Sequence, residues 1–190
     1  MLQLSAVLLL FAAVAAGPAG AANPYADQLM KLVEDRLRPI AADPVVVASV
    51  KARADRALPQ AEIDRLDAEW RASVGTPGAP LFAEIAGDPA SARLVAAQAA
   101  SEGLLTEIFA MDHQGLNVAM SETTSDYWQG DEAKWQETYL VGPDAVHMGE
   151  VDWDESAQTY AVQVSLTVVD PESGAPIGAV TFGVNAELLN

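Results

Sequence analysis

The apolar positions of this 190-residue chain change period once, near Leu104. Before that point they recur every three or four residues, and after it every two. In Tyr25 to Ile40, Leu29, Leu32, Val33, Leu37 and Ile40 fall on one helical stripe, with Asp27, Glu34, Asp35 and Arg38 largely around them. Asp43-Pro44 reads as an N-cap followed by proline at the first helical position, and it opens a segment to about Ala57. A third helix follows Leu58-Pro59, with Ile63, Leu66 and Trp70 on one stripe. The Gly75-Thr76-Pro77-Gly78-Ala79-Pro80 stretch breaks the pattern. Asp88-Pro89 then repeats the cap signal before a helix to Glu102, and Gly103 suits its C-terminal stop.

From Leu104 the chain reads as strands. Leu104 to Met111 is apolar enough for a central strand, and Asp112-His113-Gln114-Gly115 has Asp and Gly at the first and fourth positions of a type I turn. Leu116, Val118 and Met120 alternate with Asn117, Ala119 and Ser121 to complete a hairpin. Strand character resumes at Val146 to Trp153, and Asp154-Glu155-Ser156 turns the chain. Tyr160, Val162, Val164, Leu166 and Val168 then alternate with Ala161, Gln163, Ser165 and Thr167, the pattern of a half-buried strand. After the Asp170-Pro171-Glu172-Ser173-Gly174 turn, Ile177 to Val184 is the last strand. Helices first and five turn-linked strands afterwards predict α+β: N-terminal helices followed by a five-stranded antiparallel sheet, with one long crossover between the second and third strands.

The first residues stand outside this pattern. Leu4 to Ala16 is an apolar run of signal-peptide length, and small residues follow it to a cleavage site near Ala21 or Ala22. No Lys or Arg precedes the run, and an uncleaved anchor is the alternative. The expected organisation is a signal peptide at 1–22, a helical region at 23–103 packing on the sheet, and the sheet at 104–190, the last two forming one domain. The expected location is periplasmic or secreted, with no stable membrane insertion after cleavage. Cysteine is absent, which removes thiol catalysis and cysteine metal sites.

Charge sharpens the picture. The formal net charge is −17, and every Lys and Arg except Lys134 lies at or before Arg93, whereas fifteen Asp or Glu follow Gly103. Phosphate contacts need a basic surface, so nucleic acid is excluded as a partner. The acidity is either a solvated, solubilising surface or a site biased toward cationic or neutral ligands.

The candidate chemistry lies in the segment between the second and third strands. Tyr127, Trp128, Trp135 and Tyr139 can form an aromatic wall for a small ligand, with Asp126 and Gln129 supplying polar contacts. They can equally close the core beneath the loop. If Asp131 caps a short helix, Trp135 and Tyr139 share one face of it. Aromatics beside acids favour an amine through cation–π attraction worth about 0.5–2 kcal/mol per contact. Lys134 can hold an anionic headgroup or pair with a nearby acid such as Asp131 or Glu137. His113 and His147 lack metal-ligand spacing, Asp152, Asp154 and Glu155 make only a fragment of a calcium loop, and no Gly-x-Ser-x-Gly elbow occurs. No catalytic group, metal or cofactor is expected.

Three stretches carry a family resemblance: Phe109-Ala110-Met111-Asp112-His113-Gln114-Gly115-Leu116-Asn117-Val118-Ala119, Ser125-Asp126-Tyr127-Trp128-Gln129-Gly130-Asp131-Glu132, and Gly174-Ala175-Pro176-Ile177-Gly178-Ala179-Val180-Thr181-Phe182-Gly183-Val184. In this order, over roughly Glu107 to Leu188, the chain resembles the extracytoplasmic Cache (PAS-like) sensor domains. The resemblance implies a small-ligand-binding sensor without catalysis, its ligand held between the sheet and the 122–139 loop. Typical members are bounded by transmembrane helices. This chain departs from them and looks like a free-standing exported single-Cache version, whose signal transduction would require a separate membrane signalling protein. The amino-acid-sensing members hold the ligand carboxylate with a pocket-loop arginine, and no arginine follows Arg93 here. The competing reading is a structural or protein-interaction module, with the aromatic loop as core and the acidic face meeting a partner.

Overall fold

The computed structural model describes residues 23–74, 76 and 79–189; the expected leader at 1–22 lies outside them. The first helical stripe forms one continuous helical stretch: α1 (Ala26–Leu32), a π-helical segment (Val33–Leu37) and α2 (Arg38–Ala41). Leu29, Val33 and Leu37 are four residues apart and all fully buried. A four-residue step overshoots an α-helical turn by about 40°. The wider π turn takes that drift back and keeps the three side chains on the sheet.

The cap signals are realised in α3 (Pro44–Lys51) and α6 (Pro89–Ala99), where the Asp43 and Asp88 carboxylates accept from Val45 N and Ala90 N at 2.8 and 2.9 Å. Such caps are worth about 1 kcal/mol each. Both helices stop earlier than their patterns suggest, α3 at Lys51 rather than Ala57 and α6 at Ala99 rather than Glu102. Helix α4 (Gln60–Ser73) buries Ile63, Leu66 and Trp70 as expected. A further helix, α5 (Pro80–Ala86), begins at the last residue of the expected break, with Leu81 and Ile85 buried.

The strands are β1 (Leu105–Met111), β2 (Asn117–Met120), β3 (Val146–Asp154), β4 (Thr159–Val169) and β5 (Pro176–Asn185), with one turn of helix, α7 (Ala133–Gln136), between β2 and β3. They form one sheet in the order β2-β1-β5-β4-β3, every neighbour antiparallel. The long connection therefore carries the chain from one edge of the sheet to the other. The fold class is α+β, with N-terminal helices followed by a five-stranded antiparallel sheet.

The two faces of the sheet differ. One packs Ile108, Val164, Leu166, Val180 and Phe182 against Leu29, Val33, Leu37, Val46, Val50 and Leu94 of the helices. On the other, Phe109, Met111, Leu116, Met120 and Ala179 meet Ile63, Leu66 and Trp70 of α4, Leu81 and Ile85 of α5, and Tyr127 and Trp135 of the loop. Helices thus lie on both faces at the β2-β1 edge. That is why β2 is buried throughout although its sequence alternates. Burial on both faces also reaches β4 from Val164 to Val168, beyond the half-buried expectation. Its hydroxyls tolerate this because Ser165 bonds Thr181 at 2.9 Å and Thr167 donates to Gly142 O at 2.7 Å. Toward β3 the second core gives out, and the sheet surface there becomes polar.

Candidate functional site

Where the second core ends, a cavity of about 600 Å³ opens between the sheet and the loop. Alternation along the strands selects its floor. Glu107 and Phe109 of β1 pair with Gly183 and Thr181 of β5, and Gly183 pairs in turn with Gln163 of β4. The outer wall is β3, whose register slips between Met148 and Val151 and brings Gly149 and Glu150 to the cavity beside Asp152 and Asp154. The opposite wall is Thr123, Thr124, Ser125, Gln129 and Lys134.

Among the described residues lining the cavity, Lys134 is the one cation, and it is already engaged. Its ammonium donates to Gln129 Oε1 at 3.1 Å, pairs with Glu132 at 2.8 Å, and stands 5.4 Å from the centroid of the Phe109 ring. Four carboxylates line the same space: Glu107, Glu150, Asp152 and Asp154. Glu107 Oε1 accepts from Gln163 Nε2 at 3.0 Å. Burial pushes the Glu107 carboxyl above its usual 4.5, against the Gln163 hydrogen bond and the Lys134 charge. Asp154 caps the β3–β4 turn, accepting from Ser156 N, Ser156 Oγ and Ala157 N at 2.9, 2.6 and 3.2 Å.

Of the seven residues expected at the site, Gln129 and Lys134 line the cavity. Tyr127 and Trp135 are buried in the second core, with Trp128 and Tyr139 packed against it. Trp135 and Tyr139 stack at 5.1 Å, as their four-residue spacing suggests. Asp131 does not cap α7, however; the residue at the cap is Glu132, which makes no side-chain cap bond. The indoles face inward to backbone: Trp128 Nε1 donates to Gln114 O at 2.9 Å and Trp135 Nε1 to Asp112 O at 3.0 Å. Asp126 turns away to Arg71 Nε at 2.8 Å. Lys134 pairs with a nearby acid as expected, and that acid is Glu132.

One residue that sequence reasoning passed over organises the loop. Asp67 of α4, buried, accepts from Tyr127 N and Trp128 N at 3.0 and 3.1 Å and pairs with Arg71 at 2.6 Å. The signal was available, because an acid beside Leu66 on the stripe that carries Ile63 and Trp70 must find partners inside. Of the histidines, His147 Nδ1 lies 2.7 Å from Glu137 Oε2, and His113 Nδ1 is buried with no hydrogen-bond partner among the described residues. Among the described residues no group of three or more His, Asp or Glu is placed to hold a metal ion. Nor is any helix among them long and apolar enough to cross a membrane.

The pH dependence of stability follows from burial. Asp112, like Glu107, is pushed up by burial, although its carboxylate accepts from Gln114 N and Leu116 N. Both groups hold protons more tightly in the fold than in the unfolded chain. Between their unfolded and folded values the native state binds more protons, so stability falls as pH rises from about 3.8 for Asp112 and about 4.5 for Glu107, and levels off above the folded values. Urea denaturation of the wild type and Glu107→Gln from about pH 4.5 to 7 should show the variant's relative stability rising with pH. A difference independent of pH would refute the assignment.

No family model matches the sequence, and no curated protein does. Solved structures of similar outline include sensor and ligand-binding domains. The ligand-binding domain of the Campylobacter jejuni chemoreceptor Tlp3, in complex with 4-methylisoleucine, is 12% identical over 87% of this chain and 61% of that one, with TM-score 0.41. The E. coli DcuS sensor domain is 15% identical over 87% of this chain and 93% of that one, with TM-score 0.47. The ligand-binding domain of the Pseudomonas fluorescens chemoreceptor CtaA, in complex with L-serine, is 11% identical over 68% and 60%, with TM-score 0.40. This chain thus spans about three fifths of the Tlp3 and CtaA domains. Likeness this distant carries no information about ligand or role.

Proposed function

We propose that this chain is an exported sensor-type domain of the Cache class, without catalytic activity. It binds a small cationic or neutral molecule between the sheet and the 122–139 loop and passes the signal through a separate membrane protein. The observation that carries this reading is the cavity itself. It opens where the second core gives out, on a floor of Glu107, Gln163 and Gly183. A concave site with convergent polar groups and a buried carboxyl of raised pKa is the form a ligand pocket takes. In this reading residues 1–22 are the cleaved leader, export rests on the Leu4–Ala16 run, and residues 23–190 form one domain. Both hydrophobic cores contain side chains from the helical and the strand regions. The ligand is framed by Gln129 and Lys134 from the loop and contacted by Glu107 and Gln163 from the sheet, while the loop aromatics set the loop's position.

A second reading, a protein-interaction module, draws on the exposed Leu140 and Val141 after α7 and on the exposed Trp153–Tyr160 pair of the β3–β4 hairpin. A thermal-shift screen of small metabolites separates the two. A ligand at a hundredfold its Kd adds about 2.7 kcal/mol to the folded state, which is roughly 5–10 °C for a domain of this size. Absence of any shift across a broad panel, together with concentration-dependent association, would leave the interaction reading standing.

A further inference from the structure

The charges around the cavity specify more than its existence. Its lining brings four carboxylates and one ammonium to one space. The ammonium is not free for an incoming anion, because Glu132 and the Gln129 amide hold it and the Phe109 ring lies beside it. Lys134 is therefore a brace between the loop and the floor. Glu107 is placed differently. It sits on the floor, flanked by Phe109 on its own strand and facing Gly183 across the ladder. Gly183 leaves it the room, since a Cβ there would run into Thr106 Oγ1 and Glu107 Cγ. Gln163 occupies Oε1 of its carboxylate, and no hydrogen bond from a described residue reaches Oε2. The groups that act on it electrostatically are Lys134 from α7, Asp154 from β3 and Glu122 from the loop, one cation against two acids.

We propose that this cavity selects organic amines and excludes carboxylates, with the ligand's ammonium seated on Glu107 Oε2 and its apolar part against Phe109. The assignment deepens the sensor reading above and rests on it. Asp152 and Asp154 at the outer wall extend the preference, so a second ammonium on the same molecule is accommodated rather than repelled. A carboxylate entering the cavity would lose its water facing four acids and find the one ammonium already paired. Burial raises the Glu107 carboxyl above its usual 4.5, so an ammonium seated on it favours the ionised form and displaces the proton. The carboxyl proton then passes to the buffer, and no covalent bond is made or broken. Binding therefore tightens as pH rises through the range in which Glu107 ionises, which lies above its usual 4.5.

The test is calorimetric titration of the purified chain with butylamine, 1,4-diaminobutane and choline, against butyrate and succinate. At least one amine should bind one to one, at least tenfold tighter than either carboxylate. In two buffers of different ionisation heat, in a series running upward from about pH 4.5, it should show net proton release. Glu107→Gln, nearly the same shape, should weaken that amine by about tenfold to a hundredfold and abolish the proton release. Should this variant fail to fold, the pH series and the two-buffer comparison on the wild type still decide the matter. Preferential binding of butyrate or succinate would overturn the amine assignment and leave the cavity's ligand-binding role intact. Amine binding unchanged by Glu107→Gln and by pH would remove Glu107 as the receptor. If none of the five probes binds but a neutral metabolite raises the melting temperature, the amine assignment alone falls. Silence in both experiments defeats both readings.

Discussion

Trp70→Ala should lower the unfolding free energy by about 3–5 kcal/mol, with the loop wall of the cavity lost in the same step. Trp70 is 1% exposed and projects from α4 into the second core. Its ring lies 6.1 Å from Phe82 and 5.9 Å from Tyr127, and its indole N–H donates to Thr124 O at 2.9 Å. Alanine therefore leaves a void that two aromatic rings cannot both fill. It also strips the donor from a carbonyl in a buried residue, adding a desolvation cost. Thr124 lines the cavity, so the damage is transmitted to the site through one hydrogen bond. Urea denaturation should show the loss as a lower midpoint at unchanged slope. Val74→Ala, four residues on and exposed, should stay within about 0.5 kcal/mol. A loss below about 1 kcal/mol for Trp70→Ala would mean that α4 does not anchor the loop.

The Ile63–Leu66–Trp70 stripe shows how far the sequence can be read and where reading stops. Its period reveals a helix and a buried face. It does not reveal that this helix packs on the second face of the sheet, opposite α3 and α6, because periodicity reports burial and not the partner. The same limit governs the loop. Tyr127, Trp128, Trp135 and Tyr139 have the composition of a pocket wall and equally of a core. The choice between them depends on contacts such as Asp67 to Tyr127 N, across 60 residues. The strand pattern put Glu107, Gln163 and Gly183 on recognisable strands but did not mark them as the floor of a site. That they converge follows only from β5 lying between β1 and β4, an order that local sequence does not encode.

Gly115→Ala carries the second large expectation, a loss of about 2–5 kcal/mol assembled from two separable costs. Gly115 closes the Asp112 turn at φ +79°, its N–H on Asp112 O at 3.0 Å. An L-residue there costs about 1–2 kcal/mol in the left-handed region. In addition, a Cβ would stand 2.5 Å from Gly130 Cα and 2.6 Å from Gly130 N, backbone atoms that no side-chain rotation can move. Relief requires separating turn from loop, at about 1–3 kcal/mol. Gly130 is constrained in return, for a Cβ on it would meet Trp128 Nε1 at 2.5 Å and Gln114 O at 2.8 Å, the two atoms of the hydrogen bond that pins the indole. Two glycines therefore let the turn and the loop touch, and Gln129 N bonds Gly115 O at 2.8 Å beside that contact. Gln129 is the residue whose side chain holds Lys134 at the cavity. Gly174→Ala is the matched control: its φ is +72°, yet a Cβ there would meet nothing within 4 Å, so only the left-handed cost applies. If the two variants lose equal stability, the backbone contact is not what holds the loop over the sheet. A larger loss at Gly115, together with a weakened thermal shift from any compound that stabilises the wild type, would locate the cavity's geometry in this pair of glycines.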